Sequence, residues 1–304
     1  MSKVCLFGCG NVGMAAAHEI AMKAGFIEEL VLCDIDKDKA FGEALDLSHT
    51  MTFTQNVLQI KAGGYKDACG AEIVIITAGK NQKKGQTRLE LFKDNALIVC
   101  DIVKNCEKAG FNGIYVIATN PVDLVTLSIV KKCKIDAQRV IGTGTMLDTA
   151  RLKCLLGGAI NINPKDINAF VLGEHGDSEM VAWSSADIAG ASLNEKLFDN
   201  DKKLIEDKVK NSAYEIINSK GYTNFGVGAC IYELVKSIIC NENAILSVST
   251  YHGKDNMAYS MPTIVGKCGI INKICPQLND EEKNKLSLSI EKLTKAYKEV
   301  FPLK

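Results

Sequence analysis

Three stretches hold side chains that can move protons or hold anions. GEHGDSE, residues 173–179, sets His175 between Gly173 and Gly176 with Glu174 and Asp177 beside it. An imidazole exchanges protons near neutral pH, so in an accessible turn it can serve as an acid or base. A lone histidine is also commonly structural; its place in a turn after a strand-like run favours function. LDTAR, residues 147–151, spaces Asp148 and Arg151 three apart, which puts both on one face of a helix. Pairs of this kind are common as plain surface ion pairs. NQKKGQTR, residues 81–88, lacks any apolar side chain and ends in Arg88. It reads as a solvated connection or as a lid that delivers Arg88 to a substrate.

A fourth motif binds phosphate. GCGNVG places Gly8, Gly10 and Gly13 in G-x-G-x-x-G order, directly after a strand-like run and at the start of a helical one. The first glycine permits the tight turn, the second lets backbone approach a pyrophosphate, and the third lets helix pack close on sheet. The helix N-terminus then faces the anion. Asp34 closes the second strand, where a carboxylate can accept from an adenosine ribose and repels a 2'-phosphate. No Arg follows within DIDKDK. The expected cofactor is NAD rather than NADP.

These motifs need a scaffold, and the first half supplies it. KVCLFG (3–8), ELVLCD (29–34), VLQIKA (57–62), EIVIITA (72–78), GIYVIAT (113–119) and RVIGT (139–143) read as buried strands. Amphipathic or Ala-rich segments such as NVGMAAAHEIAMKAG lie between most of them. Near-continuous apolar strands alternating with helices imply a parallel sheet covered on both faces. The fold class expected is α/β, with a doubly wound NAD-binding domain over 1–142 and a C-terminal α+β substrate domain over 143–304. In the second half INAFVLG, ENAILSVSTY and YSMPTIVG are extended runs. The last helix starts near Asn279, which stands in capping-box spacing with Glu282, and turns Leu286, Ile290, Leu293 and Tyr297 to the core. Tyr232 and Lys236 have the Tyr-x-x-x-Lys spacing of short-chain reductases, but the Gly-rich turn has the wrong pattern for that class, so YELVK reads as an ordinary helix.

Composition excludes several function classes. With 36 basic and 36 acidic residues the net charge is zero, which argues against a nucleic-acid or anionic-membrane surface as the main partner. No apolar run reaches the ~18 residues of a membrane span, and no segment of signal length precedes the glycines. Twelve cysteines are scattered through apolar runs without a C-x-x-C pair, and the four histidines are far apart. Mostly buried, reduced thiols in a cytoplasmic protein are expected, with no metal site.

In order and spacing, GCGNVG with Asp34, ATNPVD (118–123), VIGTGTMLDTAR (140–151), GEHGD (173–177), NENAIL (241–246) and NQKKGQTR resemble the lactate/malate dehydrogenase family across essentially the whole chain. The resemblance implies a 2-hydroxy acid dehydrogenase with His175 as acid/base, Asp148 as its partner, Arg151 as carboxylate anchor and Arg88 on a closing loop. It puts Asn120 between nicotinamide and substrate. The cofactor contacts it implies are Gly8, Gly10, Asn11, Val12, Gly13, Asp34, Thr77, Ala78, Gly79 and Asn120. Reducing a keto acid takes a hydride from NADH and a proton at the oxygen, and these side chains suit the second task. A non-enzymatic NAD-binding structural protein would not need the complete set.

The resemblance also bears on substrate. The position matching Gln82 is arginine in malate enzymes and glutamine in lactate enzymes, and a dicarboxylate closed under a neutral amide would bury an unpaired charge at a cost of about 3–5 kcal/mol. Thr223, facing the substrate's far end by the same match, is likewise neutral. Lactate and pyruvate are expected. Tyr222 and the proline-free EMVAWS are similar instead to 2-hydroxyisocaproate dehydrogenases, the second reading, and Lys84 replaces a common proline; malate is third. Lys153 and Asn168 stand where relatives activated by fructose 1,6-bisphosphate carry arginine and histidine, so strong activation is not expected. The helix containing GEALDLSH matches one used for subunit pairing, which implies a homo-oligomer, a tetramer or a dimer.

Overall fold

The computed structural model describes residues 2–80 and 88–301, apart from the side chain of Arg88. The first half alternates β1 (Lys3–Phe7), α1 (Asn11–Lys23), β2 (Glu29–Cys33), α2 (Lys37–His49), β3 (Gln59–Ala62), β4 (Ile73–Ile76), α3 (Arg88–Lys108), β5 (Ile114–Ile117), α4 (Val122–Lys132) and β6 (Val140–Gly142). All six expected strands are present, each slightly shorter, but β3 at the sheet edge is not buried as expected: Gln59 is exposed, Ile60, Lys61 and Ala62 are half-buried, and Val57 lies outside the strand in solvent. Their order in the sheet is β6-β5-β4-β1-β2-β3, all parallel, the doubly wound arrangement.

Period-two alternation explains why the strands read as unbroken apolar runs. Cys5, Phe7, Val74, Ile76, Tyr115 and Ile117 face the core under α3 and α4. Val4, Leu6, Ile73, Ile75 and Val116 face the opposite core, under α1 and α2. Both faces are covered, so neither can carry a polar stripe.

The second half comprises α5 (Met146–Ile160), β7 (Val171–Leu172), β8 (Met180–Val181), β9 (Asp187–Ile188), β10 (Ala191–Ser192), α6 (Asp199–Lys220), α7 (Phe225–Ile239), β11 (Ala244–His252), β12 (Met257–Gly266), β13 (Gly269–Lys273) and α8 (Asp280–Val300). INAFVLG shortens to the two residues of β7. β11, β12 and β13 form an antiparallel meander that joins the edge of the parallel sheet through the pair Ser249 and Gly142, making one nine-stranded sheet. β13 was not expected from the sequence. α8 is capped as expected: Asn279 Oδ1 accepts from Glu282 N at 2.8 Å, and Glu282 Oε2 accepts from Asn279 N at 3.0 Å.

One expectation needs correction. All twelve cysteines are free, but while Cys5, Cys9, Cys33, Cys100, Cys106 and Cys230 are buried, Cys69, Cys154, Cys240, Cys268 and Cys275 are exposed. Most of the exposed thiols fall where an apolar run ends, at an element terminus or in a loop. Tyr232 packs into the core and Lys236 pairs with Glu242 at 2.8 Å, an ordinary helix as read.

Candidate active site

The cradle comes first along the chain. Gly8 has φ +112°, and a Cβ there would lie 2.5 Å from Ala78 N, so only glycine makes this turn. A Cβ on Gly13 would lie 1.9 Å from Gly8 O, whereas one on Gly10 would meet nothing within 4 Å. The first turn of α1, with Asn11 and Val12, therefore sits tight on the sheet and opens outward at Gly10. Thr77 Oγ1 donates to Gly8 O at 2.7 Å, and the backbone N–H groups of Thr77 and Ala78 both donate to Phe7 O at 2.9 Å. These two residues brace the turn. Asp34 Oδ2 accepts from Cys9 N at 2.7 Å and Oδ1 from Asp36 N at 3.1 Å. A carboxylate has further lone pairs for ribose hydroxyls. Ile35 beside it is fully exposed, an apolar surface next to that carboxylate that the sequence reading passed over.

At the carboxyl ends of β4 and β5 a second group of residues carries the chain toward the chemistry. Asn95, buried on α3, accepts from Lys80 N at 2.7 Å through Oδ1 and donates from Nδ2 to Asn120 O at 2.7 Å. Gly79 is packed so closely that a Cβ would lie 2.7 Å from Thr119 Cγ2. The Asn120–Pro121 peptide is cis. Asn95 was not among the expected site residues.

The acid/base group is stapled from four directions. Asp148 lies in the first turn of α5, and that turn is held by Thr145, whose N donates to Ser260 Oγ at 3.1 Å while Thr145 Oγ1 donates to Val171 O at 2.6 Å. Gly173 pairs with Ser260 across the sheet end. His175 N donates to Asp123 Oδ2 at 2.8 Å, and His175 Nδ1 donates to Asp148 Oδ2 at 2.6 Å. The other oxygen, Asp148 Oδ1, accepts from Arg151 Nη1 at 2.8 Å. One carboxylate thus joins the two residues, and with Asp148 only 2 % exposed the pair is no surface ion pair.

Electrostatics follow from that contact. Burial alone would push the His175 imidazolium down, but the Asp148 charge and hydrogen bond override it and hold the pKa up at about 9. Burial would raise the Asp148 carboxyl, and His175 and Arg151 outweigh it, so its pKa is lowered. Burial lifts Asp123 to about 6 despite the His175 N–H it accepts.

Asn120, Asp148, Arg151 and His175 line one cavity of about 230 Å³. Leu91 of α3, Glu179, and Lys210, Ala213, Tyr214 and Ile217 of α6 complete much of its wall. The α6 residues recur at helical spacing, a signal present in the sequence that the sequence reading did not use. Tyr214 Oη donates to Asp177 Oδ1 at 3.0 Å, and Trp183 Nε1 donates to Glu206 Oε1 at 2.7 Å, so α6 is tied to the segment that carries His175. Thr223, in the connection before α7, does not line the cavity. Gln82 and the Arg88 side chain lie outside the described residues. Asp148, His175 and Glu179 bring ligand-capable atoms within 4.8 Å of one another, but both Asp148 oxygens are spent on His175 and Arg151.

The family model described as lactate/malate dehydrogenase, NAD binding domain, matches residues 2–142, and the one described as lactate/malate dehydrogenase, alpha/beta C-terminal domain, matches residues 145–303. The chain belongs to the lactate/malate dehydrogenase family. It is an NAD-dependent oxidoreductase with a Rossmann fold in its first half. Among relatives of the family, the chain is similar to the L-lactate dehydrogenase of Halalkalibacterium halodurans, 40 % identical over 296 residues that cover 96 % of this chain and 95 % of the other. It is similar too to L-lactate dehydrogenase 2 of Enterococcus faecalis, 42 % identical over 301 residues with 96 % and 95 % covered. Among solved structures, the minor L-lactate dehydrogenase of Enterococcus mundtii in a ligand-bound form superposes with a TM-score of 0.95 at 38 % identity, covering 99 % of each chain. A lactate dehydrogenase from a Medee basin deep-sea metagenome library gives 0.95 at 40 % identity, with 98 % of each covered.

Family membership makes NAD the cofactor, and the residues present fit it. The open N-terminus of α1 at Gly10 suits a pyrophosphate, and the half-buried Asp34 carboxylate suits an unphosphorylated ribose.

Proposed function

We propose that this protein is an L-lactate dehydrogenase that interconverts pyruvate and L-lactate. The observation that carries the reading is the bridge from His175 through Asp148 to Arg151 at the wall of a small cavity. NAD, when bound, supplies or accepts the hydride. The chain's own residues do the rest. Arg151 presents its guanidinium fork to the substrate carboxylate, a planar match that lysine lacks. His175, kept charged by Asp148, gives a proton to the ketone oxygen in one direction and takes it back in the other. The His175–Asp148 bond fixes which ring nitrogen carries the hydrogen toward the cavity. Arg88, the first residue of α3, is read as the cation that polarises the carbonyl once the site closes.

Gln82 supports pyruvate over oxaloacetate, and the names of the relatives support it as well. Tyr222 and the proline-free EMVAWS favoured a branched substrate; Lys220 Nζ sits 4.8 Å from the Tyr222 ring centroid, and Tyr222 is absent from the cavity wall, which weakens that second reading. Asn168 Nδ2 donates to Asp187 Oδ2 at 2.7 Å, and Lys153 Nζ sits 5.7 Å from the Phe170 ring, which supports a protein without strong fructose 1,6-bisphosphate activation. The exposed Phe41 and Leu45 on one face of α2 support a homo-oligomer, dimer or tetramer. Free thiols throughout support a cytoplasmic setting. The division at residue 142 into cofactor and substrate halves is supported by the extents of the two family models, although the sheet runs through it. The deciding experiment is a steady-state comparison of pyruvate, 2-ketoisocaproate and oxaloacetate with NADH and NADPH. We expect the highest kcat/KM for pyruvate with NADH; preference for either other acid overturns the assignment.

A further inference from the structure

The hydride chemistry uses no sulfur, yet two thiols meet on neighbouring helices. Cys100 lies within α3 and is 5 % exposed, and Cys133, which caps the C-terminal end of α4, is half-buried. Cys133 Sγ donates to the carbonyl of Cys100 at 3.8 Å, and Cys100 Sγ donates to Ser128 O, on α4, at 3.9 Å. The two side chains also hydrogen-bond to each other. No motif joins the two positions in the sequence; only the packing of α3 on α4 brings the sulfurs together.

Their surroundings suit reaction. Lys104, one turn beyond Cys100, and Lys132, next to Cys133, place positive charge near both sulfurs, and cations favour the thiolate, which is the reactive form. From α8, Tyr297 lies near both thiols, and Lys132 Nζ sits 3.2 Å from the Phe301 ring centroid. The contact with Cys133 lowers the Cys100 thiol, while the same contact raises Cys133, so once one proton has left the pair the other is held between the sulfurs. Cys5, Cys33 and Cys106 also cluster, but all three are buried in the core and burial pushes each thiol up, the setting of inert cysteines.

We infer that Cys100 and Cys133 form a dithiol that a peroxide converts to a disulfide across α3 and α4, a modification site separate from the hydride chemistry. Oxidation starts at Cys133, the sulfur nearer solvent. With the shared proton passed to Cys100, the Cys133 thiolate attacks one peroxide oxygen. An S–O bond forms, the O–O bond breaks, and the departing oxygen takes a proton from solvent. Cys133 is then a sulfenic acid, and the peroxide has been reduced to water or an alcohol. Cys100 Sγ next attacks Cys133 Sγ; the S–S bond forms, the S–O bond breaks, and hydroxide leaves with the Cys100 proton as water. The link fastens α3, which carries Asn95, to the far end of α4, which starts just beyond Asn120. In a reducing cytoplasm such a pair is transient, reopened by thiols.

The test uses the full-length protein saturated with NAD. It is exposed to a small molar excess of hydrogen peroxide, quenched with catalase, unfolded in N-ethylmaleimide at acid pH, and then cut after lysine. Residues 94–104 contain Cys100 as their only cysteine, and residues 133–134 contain Cys133. We expect mass spectrometry to find these two fragments joined as the dominant disulfide, with matching loss of both maleimide adducts and their return when dithiothreitol precedes alkylation. In Cys133→Ser the joined fragments should vanish and Cys100 should stay fully alkylated. Recovery of both thiols as maleimide adducts while the exposed Cys69, Cys154, Cys240, Cys268 and Cys275 are oxidised overturns the inference, as does a disulfide between other sulfurs in preference. Cys100 oxidised as readily in the variant as in the wild type also overturns it, because Cys133 is then not the point of entry. Should the variant fail to fold, the wild-type map decides by itself.

Discussion

Asn95 Nδ2 donates to the carbonyl of Asn120 at 2.7 Å, while Oδ1 of the same amide accepts from Lys80 N. One buried side chain on α3 therefore ties the chain leaving β4 to the residue placed beside the cavity. Asn95→Asp keeps an acceptor for Lys80 but turns a carboxylate oxygen against the Asn120 carbonyl. An unsatisfied buried polar contact costs about 1–3 kcal/mol, so we expect kcat/KM to fall roughly 5- to 150-fold. Steady-state kinetics alongside thermal unfolding check this; a lowered Tm with unchanged kinetics would reduce Asn95 to a purely structural part.

The pH dependence of reduction is set by Asp148. His175 is raised, so its protonated form is complete well below about 9 and is lost as pH rises through that value. Pyruvate reduction should decline there and lactate oxidation should rise. Asp148→Asn removes the charge that opposes burial, leaving burial to lower the histidine. The alkaline limit of reduction should move to the ordinary histidine range or below, and kcat/KM at pH 7 should fall about 10²- to 10⁴-fold. An alkaline limit that stays put in the variant would disprove the link.

Arg151→Lys exchanges a planar fork for a point charge. Truncating one side of a buried charge-paired contact costs about 2–5 kcal/mol, so keto-acid kcat/KM should drop from roughly 30-fold to several thousand-fold. NADH affinity, measured by fluorescence titration, should be nearly intact. An equal pyruvate KM in variant and wild type would count against the anchoring role.

At the cradle, a methyl on Gly13 would stand 1.9 Å from a backbone oxygen, and backbone cannot yield as a side-chain tip can. Gly13→Ala should cost about 1–3 kcal/mol of stability and weaken NADH binding through a displaced α1. Gly10→Ala, where a Cβ meets no protein atom, should leave stability nearly unchanged and weaken only NADH. Equal losses of stability at the two positions would contradict this division.

The sequence made the scaffold legible where burial on both faces forces a pattern: β1, β2, β4, β5 and β6 are short apolar runs because neither sheet face meets water there. It did not disclose that β11 to β13 extend the same sheet, since a period-two run does not say which edge it joins. His175 and Asp148 stood out as residue types, but their contact spans 27 positions and rests on Asp123, Thr145 and Ser260, ordinary-looking residues within helix and strand runs. Glu179 was not singled out in the sequence: its identity is unexceptional, and only the fold shows that it is buried at the cavity wall.

The chain contains a single tryptophan, and Trp183 is the residue whose ring nitrogen is bonded to Glu206 on α6. Any displacement of that helix toward or away from the cavity must stretch or break this tether and alter the indole's surroundings. The molecule thus has a native optical probe tied to its substrate wall, and a displacement of α6 would be read in intrinsic emission without a dye or a label.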